Sequence, residues 1–128
     1  TDITGFGLLG HLRSMVQESG VSASLLLSEV PVLDGVWQLL SEDIAPGGSR
    51  RNLDSVQQVV TWHSSIGEEQ KLLLCDAQTS GGLLMSVAND RIDTLMDRLR
   101  SDGVNPASVI GNVVDKDSLG GRCIEVLP

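Results

Sequence analysis

Apolar residues in this chain recur in short segments, and their spacing alternates between that of a helix and that of a strand. The clearest helical segment spans residues 90–102, where apolar side chains recur every three or four positions: Ile92, Leu95, Met96 and Leu99. The strand-like segments are residues 21–28, 83–88, 108–114 and 122–127. This order predicts an α/β (α+β) fold, in which a mixed β-sheet has helices packed against it.

The remaining segments complete the predicted order of elements. We expect a helix over residues 8–19 that ends at Gly20, and a short helix over residues 32–40. A loop over residues 45–52 precedes a predicted helix over residues 53–63, with Asn52 as its cap. Residues 68–76 fit either a short helix or an extended run. A turn over residues 117–121 predicts that the last two strands form a hairpin.

Length and charge limit the classes of protein that this chain can represent. Its 128 residues are predicted to form a single domain, and 41% of them are hydrophobic. The net charge of −8 argues against a nucleic-acid-binding surface, and no apolar run approaches the roughly 20 residues of a membrane span. Cys75 and Cys123 stand far apart without a second ligand type nearby, which argues against a zinc site.

The first motif is Thr1-Asp2-Ile3-Thr4-Gly5-Phe6-Gly7, directly before the first predicted helix. Asp2 supplies a carboxylate, the ligand type that Mg²⁺ prefers, and the glycines allow a charged group to approach the backbone. Asp2 or a neighbouring threonine could instead cap the helix, and caps are common. Both interpretations of Asp2 stay open from the residues alone.

The second motif is Pro46-Gly47-Gly48-Ser49-Arg50-Arg51-Asn52. Two arginines beside glycines and a helix start are suited to an anion, but a solvent-exposed loop explains them equally well.

The third motif is Cys75-Asp76-Ala77-Gln78-Thr79-Ser80-Gly81-Gly82-Leu83. Its glycine pair fits a turn that feeds a buried strand better than a phosphate loop. Cys75 has no base nearby in sequence, so a buried thiol is favoured over a nucleophile. His11 and His63 are likewise favoured as structural residues over metal ligands.

These three segments, in this order, resemble the selenophosphate synthetase family. Residues 1–11 resemble the family's TD[VI]TGFGLLGH signature, residues 46–52 its PGG[ST]xxN loop, and residues 75–84 its CDPQTSGGLL segment, with Ala77 where proline is usual. The resemblance extends over the whole chain. It implies the C-terminal domain of aminoimidazole ribonucleotide synthetase-like proteins, truncated here because Thr1 falls inside that domain.

The resemblance also implies a function. Selenophosphate synthetases make selenophosphate from selenide, ATP and water, and release AMP and phosphate. Their ATP-binding N-terminal domain carries the reactive Cys or selenocysteine, an essential Lys and most metal-binding aspartates, and it forms most of the homodimer. The resemblance therefore implies Asp2 as the one Mg²⁺ ligand here, no catalytic residue, and a cytoplasmic enzyme. It assigns no role to Cys75, Arg50 or Arg51.

Further expectations follow for the chain by itself. We expect it to be inactive alone and to bind neither Mg²⁺ nor ATP tightly, because its partner is the N-terminal domain of the same chain. Two alternatives stay open: another ATP-using enzyme of the same superfamily, or a non-catalytic domain for packing or partner binding.

Overall fold

The structure is a computed structural model that describes residues 1–128, and helices and strands follow one another along most of the chain. The helices are α1 (Gly7–Ser19), α2 (Val36–Ser41), α3 (Gly47–Val56), α4 (Glu68–Leu74) and α5 (Ile92–Ser101). The strands are β1 (Ser22–Leu26), β2 (Val60–Trp62), β3 (Gly111–Val114) and β4 (Ile124–Leu127). Short 3₁₀ turns lie at Leu27–Glu29, Asn89–Arg91 and Lys116–Leu119.

The four strands form one mixed sheet in the order β2-β4-β1-β3. β1 pairs in parallel with β4 and antiparallel with β3, and β4 pairs in parallel with β2. The expectation of a mixed sheet with packed helices is therefore confirmed. β1, which comes from the first quarter of the chain, therefore lies between β4 and β3, which come from the last quarter.

One hydrophobic core lies between the sheet and the helices α1, α3 and α4. Because the chain has so few aromatic residues, its fully buried side chains are mostly aliphatic: Leu9, Leu25, Val56, Leu74, Ile124 and Val126. Full burial of each such side chain contributes about 1.5–3 kcal/mol to folding. None of the five helices combines the length and apolar character that a membrane span requires.

The helix predicted over residues 53–63 is wrong in its bounds. α3 begins earlier, at Gly47 inside the predicted loop, and ends at Val56; Val60–Trp62 then forms strand β2. Asn52 accordingly lies within α3 and does not cap it. Val56 and Val60 are both buried, which fits a helix face or a strand equally. Pairing of Val60 with Ile124 in β4 decides for the strand, as suits β-branched residues.

Two predicted features of the second half are also wrong. Residues 83–88 form no strand; their one bridge joins Leu83 to Asp2, and Leu83 is 65% exposed. The last two strands form no hairpin, because β1 lies between β3 and β4. Local alternation identifies strand-like sequence, whereas pairing requires a partner that only the tertiary structure supplies.

Candidate functional site

The three motifs of the sequence meet at one junction, and Asn52 lies at its centre. From the middle of α3, Nδ2 of Asn52 donates one hydrogen bond to the Gly5 carbonyl at 2.8 Å and another to the Cys75 carbonyl at 3.0 Å. A residue of the second motif thus holds the first and third motifs together. Because both bonds use the amide NH₂ group, neither an aspartate nor an aliphatic side chain can replace it.

Ser49 makes a second link from α3 to the third motif. Its side chain is fully buried, and its hydroxyl donates to Oδ1 of Asp76 at 2.6 Å while accepting from the Ala77 amide at 3.0 Å. Nε2 of Gln78 donates to Oδ2 of Asp76 at 2.9 Å. Both oxygens of the Asp76 carboxylate are therefore used inside the protein, which gives Asp76 a structural role.

The first and third motifs are joined directly by their backbones. The Gln78 amide donates to the Thr4 carbonyl at 3.1 Å, and the Ile3 amide donates to the Gly82 carbonyl at 2.8 Å. The Leu84 amide donates to the Thr1 carbonyl at 2.8 Å, and the Thr1 ammonium donates back to Leu84 at 2.9 Å. This ladder fixes the backbone on both sides of Asp2.

Two glycines of the motifs are explained by close contact between chain segments. Gly7 has a φ of +70°, and a Cβ there would lie 2.6 Å from the carbonyl carbon of Cys75. A Cβ at Gly81 would collide with the Ile3 carbonyl oxygen. Both glycines let backbone approach backbone inside the protein, which agrees with the expectation of a turn in the third motif.

His11 stabilises the loop that leads into α1. The Thr4 amide donates to Nε2 of His11 at 3.1 Å, so Nε2 carries a lone pair and the neutral ring holds its proton on Nδ1. The ring also lies edge-on to Phe6, with 5.8 Å between centroids. His63 directly follows β2, and its exposed ring bonds only Ser65, with 2.8 Å between Nδ1 and the Ser65 hydroxyl. These contacts agree with structural roles for both histidines.

Asp2 is the acidic residue of the junction whose side-chain carboxylate makes no hydrogen bond or ion pair within the protein. Its side chain is exposed, and the bond from the Thr1 hydroxyl goes to its main-chain carbonyl. The alternative of a helix cap is wrong, because Phe6 is the N-cap residue of α1. A free carboxylate on a fixed backbone fits one Mg²⁺ ligand. The structure contains no group of three or more His, Cys, Asp or Glu residues that could hold a metal ion.

Cys75 is buried and unreactive. Its side chain is fully inaccessible, and burial raises the pKa of its thiol to about 12. The thiol therefore stays protonated at neutral pH, and a thiolate nucleophile is not available here. Both cysteines are free.

The two arginines of the second motif do not act together. Nη2 of Arg50 binds Oδ1 of Asp43 at 2.8 Å, whereas the Arg51 guanidinium folds back beside Gly47 and Gly48.

Sequence reasoning missed the hydrogen-bonded links that Ser49 and Asn52 make to the other motifs, because Asn52 was interpreted as a local helix cap. Their spacing of three residues, which places both on one face of a helix, was the available signal.

The chain is similar to known proteins along nearly its whole length. A family model described as "AIR synthase related protein, C-terminal domain" matches residues 1–124. A selenide, water dikinase of Carboxydothermus hydrogenoformans is 41% identical over 109 residues, which cover 85% of this chain and 32% of that protein. One from Salmonella typhimurium is 40% identical over 124 residues, covering 97% of this chain and 34% of that protein. The chain thus spans about a third of the length of these curated relatives.

Proposed function

Because this chain belongs to the AIR synthase related protein family and matches its C-terminal domain, we propose that it serves as the C-terminal domain of a selenide, water dikinase. Such an enzyme makes selenophosphate from selenide, ATP and water and releases AMP and phosphate. The observation that carries the proposal is the hydrogen-bonded junction of the three motifs, in a chain 40–42% identical to several selenide, water dikinases.

Within that enzyme, we propose that Asp2 contributes one carboxylate ligand to Mg²⁺. Asp76, the other carboxylate of the junction, already accepts bonds from Ser49 and Gln78 and is not free to bind a cation. The backbone ladder around Asp2 holds the carboxylate in place without using it. When bound, Mg²⁺ neutralises negative charge on phosphate oxygens during phosphoryl transfer.

The remaining chemistry belongs to another part of the protein. The proposed partner is an ATP-binding N-terminal domain of the same chain, which supplies the nucleotide site, the reactive residue and the other metal ligands. The complete enzyme is proposed to be a cytoplasmic homodimer. The buried Cys75 supports this division of labour, since its protonated thiol is not available as a nucleophile.

A domain exchange tests the proposal. In the Salmonella typhimurium enzyme, the segment that matches this chain is replaced by residues 1–128, and formation of AMP and selenophosphate is followed by phosphorus NMR. We expect selenide-dependent turnover. A well-folded hybrid that binds ATP but makes no selenophosphate would refute the proposed function.

The role of Asp2 is tested in the same active hybrid. Asp2→Asn keeps the shape of the side chain but removes its charge, so we expect a loss of turnover of about tenfold or more and a higher Mg²⁺ requirement. Asp34→Asn is the matched control, because Asp34 is also exposed but lies outside the junction. Equal turnover of the two variants at limiting Mg²⁺ would exclude Asp2 as a ligand.

A non-catalytic packing domain is the second candidate, and one observation favours it. The polar groups of Ser49, Asn52 and Asp76 are all used in contacts within the domain. For a packing domain, Asp2→Asn would leave both turnover and Mg²⁺ dependence of the hybrid unchanged.

A further inference from the structure

His11 binds the backbone two residues beyond Asp2. Nε2 of His11 accepts from the Thr4 amide at 3.1 Å and lies 3.0 Å from the Thr4 hydroxyl, and both contacts are part-buried. A neutral imidazole with its proton on Nδ1 is an acceptor at Nε2, so it can take both hydrogens. The position of Thr4 is therefore tied to that of the His11 ring.

The His11 ring is itself held by a well-anchored helix. His11 lies in the second turn of α1, between Leu9 and Leu12, whose side chains are buried in the core. Phe6 lies edge-on to the ring, and a Cβ at Gly10 would lie 2.8 Å from the Cβ of Phe6, so Gly10 leaves room for Phe6 beside the imidazole. A side chain that starts from a packed helix positions its partner more precisely than one on a loop.

The bond from Thr4 to His11 is not a helix cap. A capping side chain bonds an amide of the first turn, but the N-cap residue of α1 is Phe6 and no side chain caps that helix. Thr4 lies two residues before Phe6, in the segment that carries Asp2. His11 therefore acts on this segment and not on the start of its own helix.

The segment around Asp2 is held from two sides. On one side the third motif binds its backbone, since the Ile3 amide donates to the Gly82 carbonyl at 2.8 Å. On the other side lies α1, and His11 is the only residue of that helix whose side chain bonds any of residues 1–5. Loss of the imidazole would free the Thr4 amide and leave the segment fixed mainly from the side of the third motif.

We propose that His11 is a positioning residue for Mg²⁺ binding, because it holds, through Thr4, the segment on which the Asp2 carboxylate lies. This inference rests on the ligand role proposed for Asp2. Groups that orient a metal ligand commonly change metal affinity or activity by about 10–100-fold when they are removed. His11 acts through Thr4 and the backbone, so the lower end of that range is expected.

Mg²⁺ titration of the active hybrid enzyme tests the proposal. His11→Leu removes the acceptor, and the Mg²⁺ concentration for half-maximal turnover should rise about tenfold. His11→Gln keeps an acceptor near the position of Nε2, its side-chain carbonyl, and should restore most of the loss. His63→Leu is the matched control, because that exposed histidine bonds only Ser65. An unchanged requirement in His11→Leu beside a raised one in Asp2→Asn would overturn this inference and leave the proposed function intact.

The double variant separates positioning from a general loss of structure. If His11 acts through Asp2, adding His11→Leu to Asp2→Asn should raise the Mg²⁺ requirement by less than about twofold. The same tenfold rise in both backgrounds would show that His11 acts independently of Asp2, against the inference. An unchanged requirement in Asp2→Asn alone would refute the ligand role of Asp2 and this inference with it.

NMR of residues 1–128 gives a readout that needs no turnover. In His11→Leu we expect the Thr4 amide to exchange about tenfold faster and the backbone order parameter of Asp2 to fall from about 0.85 towards 0.6. His11→Gln should keep both near the parent values, and Ala23 in the centre of the sheet should not change in either variant. An unchanged order parameter of Asp2 in His11→Leu would overturn the inference, whatever the hybrid enzyme does.

Discussion

Ser49 shows how one hydroxyl group satisfies two partners at once. Replacing it by alanine leaves Oδ1 of Asp76 and the Ala77 amide, both part-buried, without their bonds to this fully buried side chain. An unsatisfied buried group costs about 1–3 kcal/mol, so we expect Ser49→Ala to lower the free energy of unfolding by that amount in urea titrations.

Ser55 in the same helix is the control for this prediction. Its exposed hydroxyl bonds only the Asn52 carbonyl of its own helix, so Ser55→Ala should change stability by about 0.5 kcal/mol or less. Equal losses for the two variants would contradict the role assigned to Ser49.

The buried thiol of Cys75 makes stability depend on alkaline pH. Burial raises its pKa from 9.0 to about 12, so above pH 9 the unfolded chain loses a proton that the folded chain keeps. The free energy of unfolding should therefore fall between about pH 9 and pH 12, by at most about 1.4 kcal/mol per pH unit from this group.

Cys75→Ala isolates the contribution of this thiol to the pH dependence. The variant should unfold with a shallower pH dependence above pH 9, whatever its stability at neutral pH. Chemical denaturation at a series of pH values measures both slopes. Parallel pH profiles of the parent and the variant would show that burial of Cys75 does not shift its pKa.

At the scale of elements, α1 has a glycine with positive φ at each end, but only one of the two is in a crowded place. Gly20 ends the helix at a φ of +66° with open space around it, so Gly20→Ala should cost about 1–2 kcal/mol of conformational strain. Gly7→Ala adds a backbone collision with Cys75, and we expect a further loss of about 1–3 kcal/mol.

Urea titration of the two glycine variants separates strain from collision. Strain alone predicts equal losses, because the two φ angles differ by only a few degrees. If Gly7→Ala were no more destabilising than Gly20→Ala, the close contact between Gly7 and the Cys75 backbone would be contradicted.

Elements with a strong local signal could be predicted from sequence. α1, with its terminating Gly20, and α5, with its helical period, lie where the pattern placed them. The apolar face of α5 was nevertheless not sufficient to bury it, since none of its residues is buried. Periodicity reports the shape of an element, whereas burial depends on what lies against it.

Features that depend on distant residues could not be predicted in the same way. The pairing of Val60 with β4, the separation of β3 from β4 and the absence of a strand at residues 83–88 all follow from tertiary contacts. The candidate site shows the same division. The motif around Asp2 was visible in sequence, but the function of Asn52 depends on carbonyls that lie 47 and 23 residues away.

At the scale of the whole molecule, we predict that the chain alone does not turn over ATP. It has no cluster of acidic residues to hold a metal ion, and its buried cysteine stays protonated at neutral pH. Phosphorus NMR of residues 1–128 with ATP, Mg²⁺ and selenide should show no AMP above the protein-free rate. The active hybrid enzyme is the positive control, and AMP formation that scales with the amount of isolated domain would contradict this prediction.

The strand order has a consequence for synthesis on the ribosome. β1 is made early, but its neighbours β3 and β4 come from residues 111–127, so the sheet cannot close until those residues have been made. At 5–20 residues per second, the buried face of β1 waits on the order of 5–20 s for both neighbours. β4 also brings the fully buried Ile124 and Val126 and links β2 to β1. A ribosome stalled before Ile124 therefore holds a chain whose central strand lacks one neighbour and whose core lacks two of its fully buried side chains.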